Sequence, residues 1–152
     1  MDEGADFAHL DKQLCFAIYA ASHAFNAAYR PLLEPHGLTY PQFIILLVLW
    51  EKGRLSLKAL GDALQLDSGT LTPLTKRMEA AGLLRRVRSK VDERSVHIEL
   101  TEDGDKLRPL AGQIRKAMIC SLGGKVEPVL ELRSRIMQIT EQLRTAPHPR
   151  NG

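Results

Sequence analysis

Cysteine is nearly absent from this chain of 152 residues: Cys15 and Cys120 are the only two, far apart and in no CxxC pair. A disulfide-stapled scaffold and a thiolate zinc site are thereby excluded. Each cysteine is instead a small apolar residue or a redox group. The five histidines, at 9, 23, 36, 97 and 148, show no zinc-ligand spacing, so neither a metal nor another cofactor is expected. Long apolar runs are missing too. The longest, Phe43 to Trp50, falls far short of the roughly eighteen residues that cross a bilayer. The start, Met1-Asp2-Glu3, is acidic and has no signal-peptide pattern. A cytoplasmic protein without membrane attachment is expected. Net charge is only +3, so charge position matters more than charge total. What is present, 44% apolar and 26% charged residues, is ordinary for a globular domain and excludes disorder of the chain as a whole.

The apolar spacing reads as helices flanking a short β segment. From about Ala5 to Arg30, Leu10, Leu14, Ile18 and Phe25 mark a helical face, which Pro31, Pro35 and Gly37 bring to an end. Thr39-Tyr40-Pro41-Gln42 fits a capping box that opens a buried helix ending near Gly53. Ser56 opens a short helix with Leu57, Leu60 and Leu64 at helical spacing. After a break at Leu66-Asp67-Ser68-Gly69, a second helix runs to about Ala81 with Leu71, Leu74 and Met78 inward. Leu83 to Ser89 and Ser95 to Leu100 read as a two-stranded hairpin with the charged tip Lys90-Val91-Asp92-Glu93-Arg94. Thr101 caps a further helix, Gly123-Gly124 interrupts it, and a last helix carries Val129, Leu132, Ile136, Ile139 and Leu143 on one face. The predicted fold is mainly α with a small β-hairpin wing: a winged helix-turn-helix between N- and C-terminal dimerisation helices. The predicted segments are an N-terminal helix (1–38), a DNA-binding lobe (39–100), C-terminal helices (101–144) and a flexible tail (145–152). Neither terminal apolar stripe has a home in so small a unit, which predicts a two-fold homodimer.

Seven basic residues (Lys76, Arg77, Arg85, Arg86, Arg88, Lys90, Arg94) stand between positions 76 and 94 against Glu79, Asp92 and Glu93. Their excess of four is larger than that of the whole chain, and it falls on the second helix and the hairpin, the parts that enter DNA grooves. Lysine and arginine give affinity through phosphates without reading sequence. Ser68, Thr70 and Thr72 are placed to reach base edges, and Pro73 to touch a sugar or a thymine methyl. Arg94 at the hairpin tip suits a narrow minor groove, with Asp92 orienting it. Lys76, Arg77, Arg86, Arg88 and Lys90 complete the expected contacts. The partner predicted on this basis is a pseudo-palindromic double-stranded DNA operator.

At these residues the sequence resembles the MarR family of bacterial transcription regulators. Asp92-x-Arg94, Ile98-x-Leu100-Thr101-x-x-Gly104, Leu60-Gly61, Lys76-Arg77-Met78-Glu79 and Gly82-Leu83 carry that resemblance. Further segments are similar to the OhrR branch, which senses organic hydroperoxides: Leu14 to Tyr19, Tyr29 to Leu33, Gly37 to Gln42 and Leu66 to Leu74. The resemblance implies that Cys15 is the peroxide-reactive thiol, that Tyr29 and Tyr40 hydrogen-bond to it, and that oxidation releases DNA. It also implies that Cys120 of the other subunit traps oxidised Cys15 as a disulfide. Pro109 departs from the pattern.

Geometry adds a condition. Tyr19 is one helical turn from Cys15, but Tyr29 is fourteen residues on, about 21 Å along a straight helix. A Tyr29 that serves Cys15 must come from an antiparallel partner helix. A phenol O–H donated to sulfur favours the thiolate, the form that attacks a peroxide and yields sulfenic acid. Phe16, Ile18 and Phe43 would make the surroundings favour organic hydroperoxides. Two rival readings remain at this stage: a repressor released by a small phenolic ligand with Cys15 only packing, and a thiol peroxidase, which would leave the wing and basic helix without a purpose. The reading is therefore not an enzyme.

Overall fold

The computed structural model describes residues 9–147. The chain divides into two compact units, with the boundary between Ile114 and Arg115.

In the first unit, a 3-10 turn (Leu10–Lys12) precedes α1 (Leu14–Leu33). The helix expected from Ala5 thus begins at Leu14, because Gln13 is extended (φ −85°, ψ 114°); residues 5–8 lie outside the described residues. Pro31 does not end α1. It sits in the last turn, where its missing N–H removes one ladder bond, and the Glu34 N–H still reaches the Arg30 carbonyl. The reversal falls at Gly37, in the left-handed region at φ 66°. α2 (Tyr40–Lys52) then leaves at a bend of 72°. Its capping box is present: the Thr39 N–H donates to Gln42 Oε1 at 3.0 Å. Phe43, Ile45, Leu46, Leu49 and Trp50 are buried, as the all-round apolar run predicts.

A two-residue strand β1 (Leu55–Ser56) leads into α3 (Leu57–Leu64) and α4 (Ser68–Ala80). The hairpin strands are β2 (Leu84–Arg88) and β3 (Val96–Leu100). The expected two-stranded wing is a three-stranded antiparallel sheet in the order β1-β3-β2, with Leu55 opposite Ile98 and Arg86 opposite Ile98 on the other side. Two residues carry no periodicity, so β1 had no signal in the sequence. The core lies where α2, α3, α4 and the sheet meet: Ile45, Leu46, Leu60, Leu71, Met78 and Ile98 are fully buried.

The helix expected after Thr101 is two pieces, α5 (Glu102–Lys106) and α6 (Pro109–Ser121). Pro109 lies at the first position of a new helix, where its missing N–H costs nothing. A knot of hydrogen bonds ties this region to the base of the wing. The Thr101 hydroxyl donates to the Gly82 carbonyl at 2.5 Å and accepts from the Gly104 N–H at 3.1 Å. The Thr101 N–H donates to the Leu83 carbonyl, and the Trp50 indole N–H donates to the Gly104 carbonyl at 3.1 Å.

The second unit holds the end of α6 and α7 (Val126–Thr145). No residue of α7 is buried; Leu132, Ile136 and Leu143 are all exposed. The same holds for Leu14, Ile18 and Phe25 on α1 in the first unit. Both terminal stripes are therefore uncovered, as their sequence suggests. Thr145 still belongs to α7, and residues 148–152 of the expected tail, with His148, lie outside the described residues. No single described helix is long and apolar enough to cross a membrane.

A Cβ added at Gly104 would collide with the Leu83 carbonyl. Gly104→Ala is expected to destabilise the protein by about 1–3 kcal/mol through overpacking. Thermal unfolding followed by circular dichroism measures it, and an unchanged midpoint would show that the knot relaxes freely.

Candidate nucleic-acid interface and thiol site

The pair α3 and α4 is built by two side-chain caps and one close approach. Ser56 Oγ accepts from the Ala59 N–H at 3.0 Å, and Asp67 Oδ1 accepts from the Thr70 N–H at 2.8 Å. Asp67 thus starts α4 at Ser68, so Ser68 and Gly69 belong to the first turn rather than to the break. Gly61 lies against the Leu66 carbonyl, 2.6 Å from where a Cβ would stand. Ser68, Thr70, Pro73, Lys76 and Arg77 are all exposed on α4. Thr72 is half-buried, and Thr75, which sequence reasoning did not single out, is fully buried with its hydroxyl donating to the Leu71 carbonyl.

On the wing, Arg88, Lys90 and Arg94 are exposed and have no ion pair among the described residues. Arg85 faces the other way and pairs with Glu99 at 3.5 Å, which Arg54 also approaches at 3.6 Å. Asp92 acts on Arg94 through the backbone: its Oδ1 accepts from the Arg94 N–H at 3.0 Å, not from the guanidinium. Ser89 Oγ accepts from the N–H groups of Val91 and Asp92 and closes the other side of the tip. Arg86 differs from the expectation. Its guanidinium turns inward and donates to the Thr72 carbonyl at 3.1 Å and to Thr75 Oγ1 at 2.9 Å.

Between the wing and the helix pair lies an open cavity of about 560 Å³, lined in part by Lys58, Asp62, Asp67, Asp92 and Arg94. Lys58 was missed in the sequence. The only signal was a basic residue in the first turn of α3. Among the described residues no cluster of His, Cys, Asp and Glu is arranged to hold a metal ion.

Cys15 is exposed as the second residue of α1. One turn on, the Tyr19 ring meets His23 edge-on at 4.5 Å and stacks toward Phe16 at 6.5 Å. Tyr29 and Tyr40 come together at the opposite end of α1, with ring centroids 4.7 Å apart, and Tyr29 also meets Phe43 at 6.3 Å. Cys15 and this tyrosine pair are not brought together within one chain: fourteen residues of straight helix separate Cys15 from Tyr29 by about 21 Å. Neither phenol makes a hydrogen bond among the described residues. Burial pushes the Tyr29 phenol up from its ordinary value, and Tyr40 beside it raises it further; burial likewise raises Tyr40. Both therefore stay protonated, as hydrogen-bond donors, throughout the physiological range. Cys120 is exposed near the end of α6, in the second unit, and its carbonyl accepts from the Gly123 N–H at 3.2 Å.

Comparison with known proteins bears on both surfaces. The family model for the transcriptional regulator SarA/Rot matches residues 27–108. The HTH-type transcriptional regulator TtmR of Methylorubrum extorquens is 50% identical over 143 residues, which is 94% of this chain and 71% of that protein. The organic hydroperoxide resistance transcriptional regulator of Bacillus subtilis is 44% identical over 143 residues, 94% of this chain and 97% of that one. Among solved structures, reduced AbfR bound to DNA is similar at a TM-score of 0.74 and 31% identity, over 93% of this chain and 99% of that one. Disulfide-formed AbfR is similar at 0.63 and 32% identity, over 90% and 95%.

The raised tyrosines make a pH prediction. Their folded values lie above the unfolded value of 10.0, so their contribution to stability is complete below about pH 10 and is lost as pH rises through the folded values. Absorbance of tyrosinate during alkaline titration is expected to show a late-ionising component that Tyr29→Phe and Tyr40→Phe each diminish. Ionisation of both phenols at the free-tyrosine value would contradict the burial that raises them.

Proposed function

The chain belongs to the MarR/SarA type of winged-helix transcription regulators, DNA-binding proteins that are not enzymes, and on that premise we propose that it is a repressor released from DNA by organic hydroperoxides. The observation that carries this reading is the tyrosine pair. Tyr29, half-buried, and Tyr40, 37% exposed, present two phenol donors with no acceptor among the described residues, while Cys15 lies exposed at the far end of the helix that carries Tyr29. A second copy running antiparallel along α1 supplies both needs: it covers the exposed apolar face and sets each Cys15 beside the partner's Tyr29 and Tyr40. The 44% identical Bacillus subtilis relative is named for organic hydroperoxide resistance, which supports the same inducer here.

The chemistry then follows. The Cys15 thiolate attacks the outer oxygen of the hydroperoxide; an S–O bond forms, the O–O bond breaks, and the departing alkoxide takes a proton to leave as the alcohol. Sulfur loses two electrons and the peroxide gains them, giving sulfenic acid. The partner's Cys120 thiolate attacks that sulfur, an S–S bond forms, and hydroxide leaves as water after protonation. AbfR, whose solved forms include a reduced DNA-bound and a disulfide-formed state, supports a disulfide end point. Pro109 at the start of α6 leaves the turns that carry Cys120 regular.

Ser68, Thr70, Thr72 and Pro73 at the start of α4 are assigned to the major groove, Lys76, Arg77, Arg88 and Lys90 to phosphates, and Arg94, with its backbone held by Asp92, to the minor groove. Two-fold symmetry makes the operator a pair of half-sites about one helical turn apart.

Fluorescence anisotropy on a duplex from upstream of the chain's own coding sequence tests the reading. One equivalent of cumene hydroperoxide is expected to weaken binding by roughly 5- to 150-fold, the usual range of allosteric coupling. Cys15→Ser should remain bound, Tyr29→Phe should respond more slowly, and Cys120→Ser should oxidise without forming a dimer-linking disulfide. Release of Cys15→Ser by the same treatment would overturn the assignment of the sensor.

A further inference from the structure

We infer that Arg86 is a positioning residue that locks the wing to the recognition helix α4 and makes no phosphate contact itself, an inference that rests on the DNA-binding reading above. Arg86 bridges two elements. Its backbone N–H donates to Glu79 Oε2 at 2.6 Å, and its guanidinium donates to the Thr72 carbonyl and to Thr75 Oγ1. Thr75 is fully buried, and its hydroxyl is fixed from the other side by donation to the Leu71 carbonyl at 2.9 Å. The hydroxyl also approaches the Thr72 carbonyl at 3.2 Å, so its proton is directed back to the helix backbone and its oxygen is left to accept from Arg86.

The register explains why this residue does the work. β2 is an edge strand, because β3 lies between it and β1. Arg86 stands opposite Ile98, which is fully buried, so the two side chains share the sheet face that meets the helices. Arg85 and its partner Glu99 occupy the other face. On the free edge of β2 the Arg86 N–H has no strand to pair with, and the Glu79 carboxylate takes that place. One residue of the wing therefore holds α4 at three acceptors, on Thr72, Thr75 and Glu79. Arg88, two residues nearer the tip, has none of these partners and is exposed.

A rigid joint between wing and helix matters because base readout by α4 and minor-groove insertion by Arg94 must occur in one register on the DNA. A loose joint leaves the phosphate contacts possible while spoiling their simultaneous fit with the bases. Arginine suits the role because one nitrogen, Nη1, makes both bonds; it lies one bond beyond the point where a lysine ammonium ends and is held in the plane of the guanidinium.

The test compares wild type, Arg86→Ala, Arg86→Lys, Thr75→Val and Arg88→Ala on the duplex that wild type enriches from a random library and on a scrambled duplex of equal length. Arg86→Ala is expected to weaken binding to the enriched duplex roughly tenfold or more, as for loss of charged hydrogen bonds, with binding to the scrambled duplex unchanged. The slope of log affinity against log salt stays at the wild-type value, whereas losing one phosphate contact from each protomer, as in Arg88→Ala, flattens it by about 1.8. Thr75→Val, which keeps the shape and lacks only the hydroxyl, reproduces part of the loss, and Arg86→Lys does not restore affinity. A flattened slope in Arg86→Ala, or full rescue by Arg86→Lys, would make Arg86 a phosphate contact and overturn the inference.

A DNA-free measurement separates this inference from the functional reading. Spin labels at Arg77→Cys and Lys90→Cys, in a Cys15→Ser and Cys120→Ser background diluted with unlabelled chain, report the distance between α4 and the wing. Thr75→Val and Arg86→Lys are expected to broaden that distribution, and an unchanged distribution in both overturns the joint. Failure of wild type to enrich any duplex counts against the functional reading and leaves the spin-label result to decide the joint.

Discussion

The wing and the helices that present it hang on one seat, the backbone of Gly104. Its carbonyl accepts the Trp50 indole N–H, its N–H is taken by Thr101, and its missing side chain lets the Leu83 carbonyl approach closer than any Cβ allows. Thr101 completes the seat by donating its hydroxyl to the Gly82 carbonyl and its N–H to the Leu83 carbonyl. The end of α4, both bases of the hairpin and the start of α5 thus meet at a few backbone groups, each satisfied. Such a junction resists displacement, because a shift that breaks the buried Trp50–Gly104 bond leaves the indole N–H and the Gly104 carbonyl unpaired. The Arg86 joint is the second anchor, farther along the same wing. Between them the wing is fixed at its base and along its edge, and only the tip, carrying Lys90 and Arg94, projects free.

The second governing constraint is the stiffness of α1. A twenty-residue helix cannot fold back to join its two ends, so Cys15 and Tyr29 stay about 21 Å apart in any one chain. This separation and the exposed apolar face of α1 are two expressions of one incompleteness. Among the described residues Leu14, Phe16, Ile18 and Phe25 lack a cover, and the phenols of Tyr29 and Tyr40 lack an acceptor. A second antiparallel copy remedies both at once, and that economy favours it over a small ligand, which would satisfy the phenols and leave the helix face bare.

Much of this was legible in the sequence. The capping box at Thr39, the caps at Ser56 and Thr101, the stop at Gly53 and the hairpin between Leu83 and Leu100 are local chemistry, and local chemistry is written in short motifs. What escaped depends on tertiary context. β1 is two residues paired with a strand forty positions away. Pro31 looked like a helix end, yet a proline in a final turn removes only a bond that the fold can spare. Pro109 looked like a flaw inside a helix and is the start of one. Arg86 and Arg88 are indistinguishable as letters, and only the buried hydroxyl of Thr75 separates an internal brace from a free cation. Asp92 was expected to orient Arg94, and its bond goes to the Arg94 backbone N–H rather than to the guanidinium, because the tip is a tight turn.

The two surfaces are joined by contiguous matter. Tyr40 is the first residue of α2, Trp50 lies in its last turn, and the rings form a ladder: Tyr40 to Tyr29 at 4.7 Å, Tyr29 to Phe43 at 6.3 Å, Phe43 to Trp50 at 6.2 Å. From Trp50 the indole N–H reaches the Gly104 seat, and its carbonyl accepts from Arg108 at 2.8 Å. Proximity alone does not make a coupling pathway; what transmits is an element that moves as a body. α2 meets that requirement, since Ile45, Leu46 and Leu49 are fully buried and close packing denies it local bending. A displacement of the tyrosine pair at one end of this helix would therefore arrive, about 15 Å away by helical rise, at Trp50, the residue that holds the base of the wing. In the proposed switch, oxidation replaces the sulfur acceptor of the two phenols. In that switch the same helix that positions the phenols also holds, through Trp50 and Gly104, the base of the wing assigned to DNA.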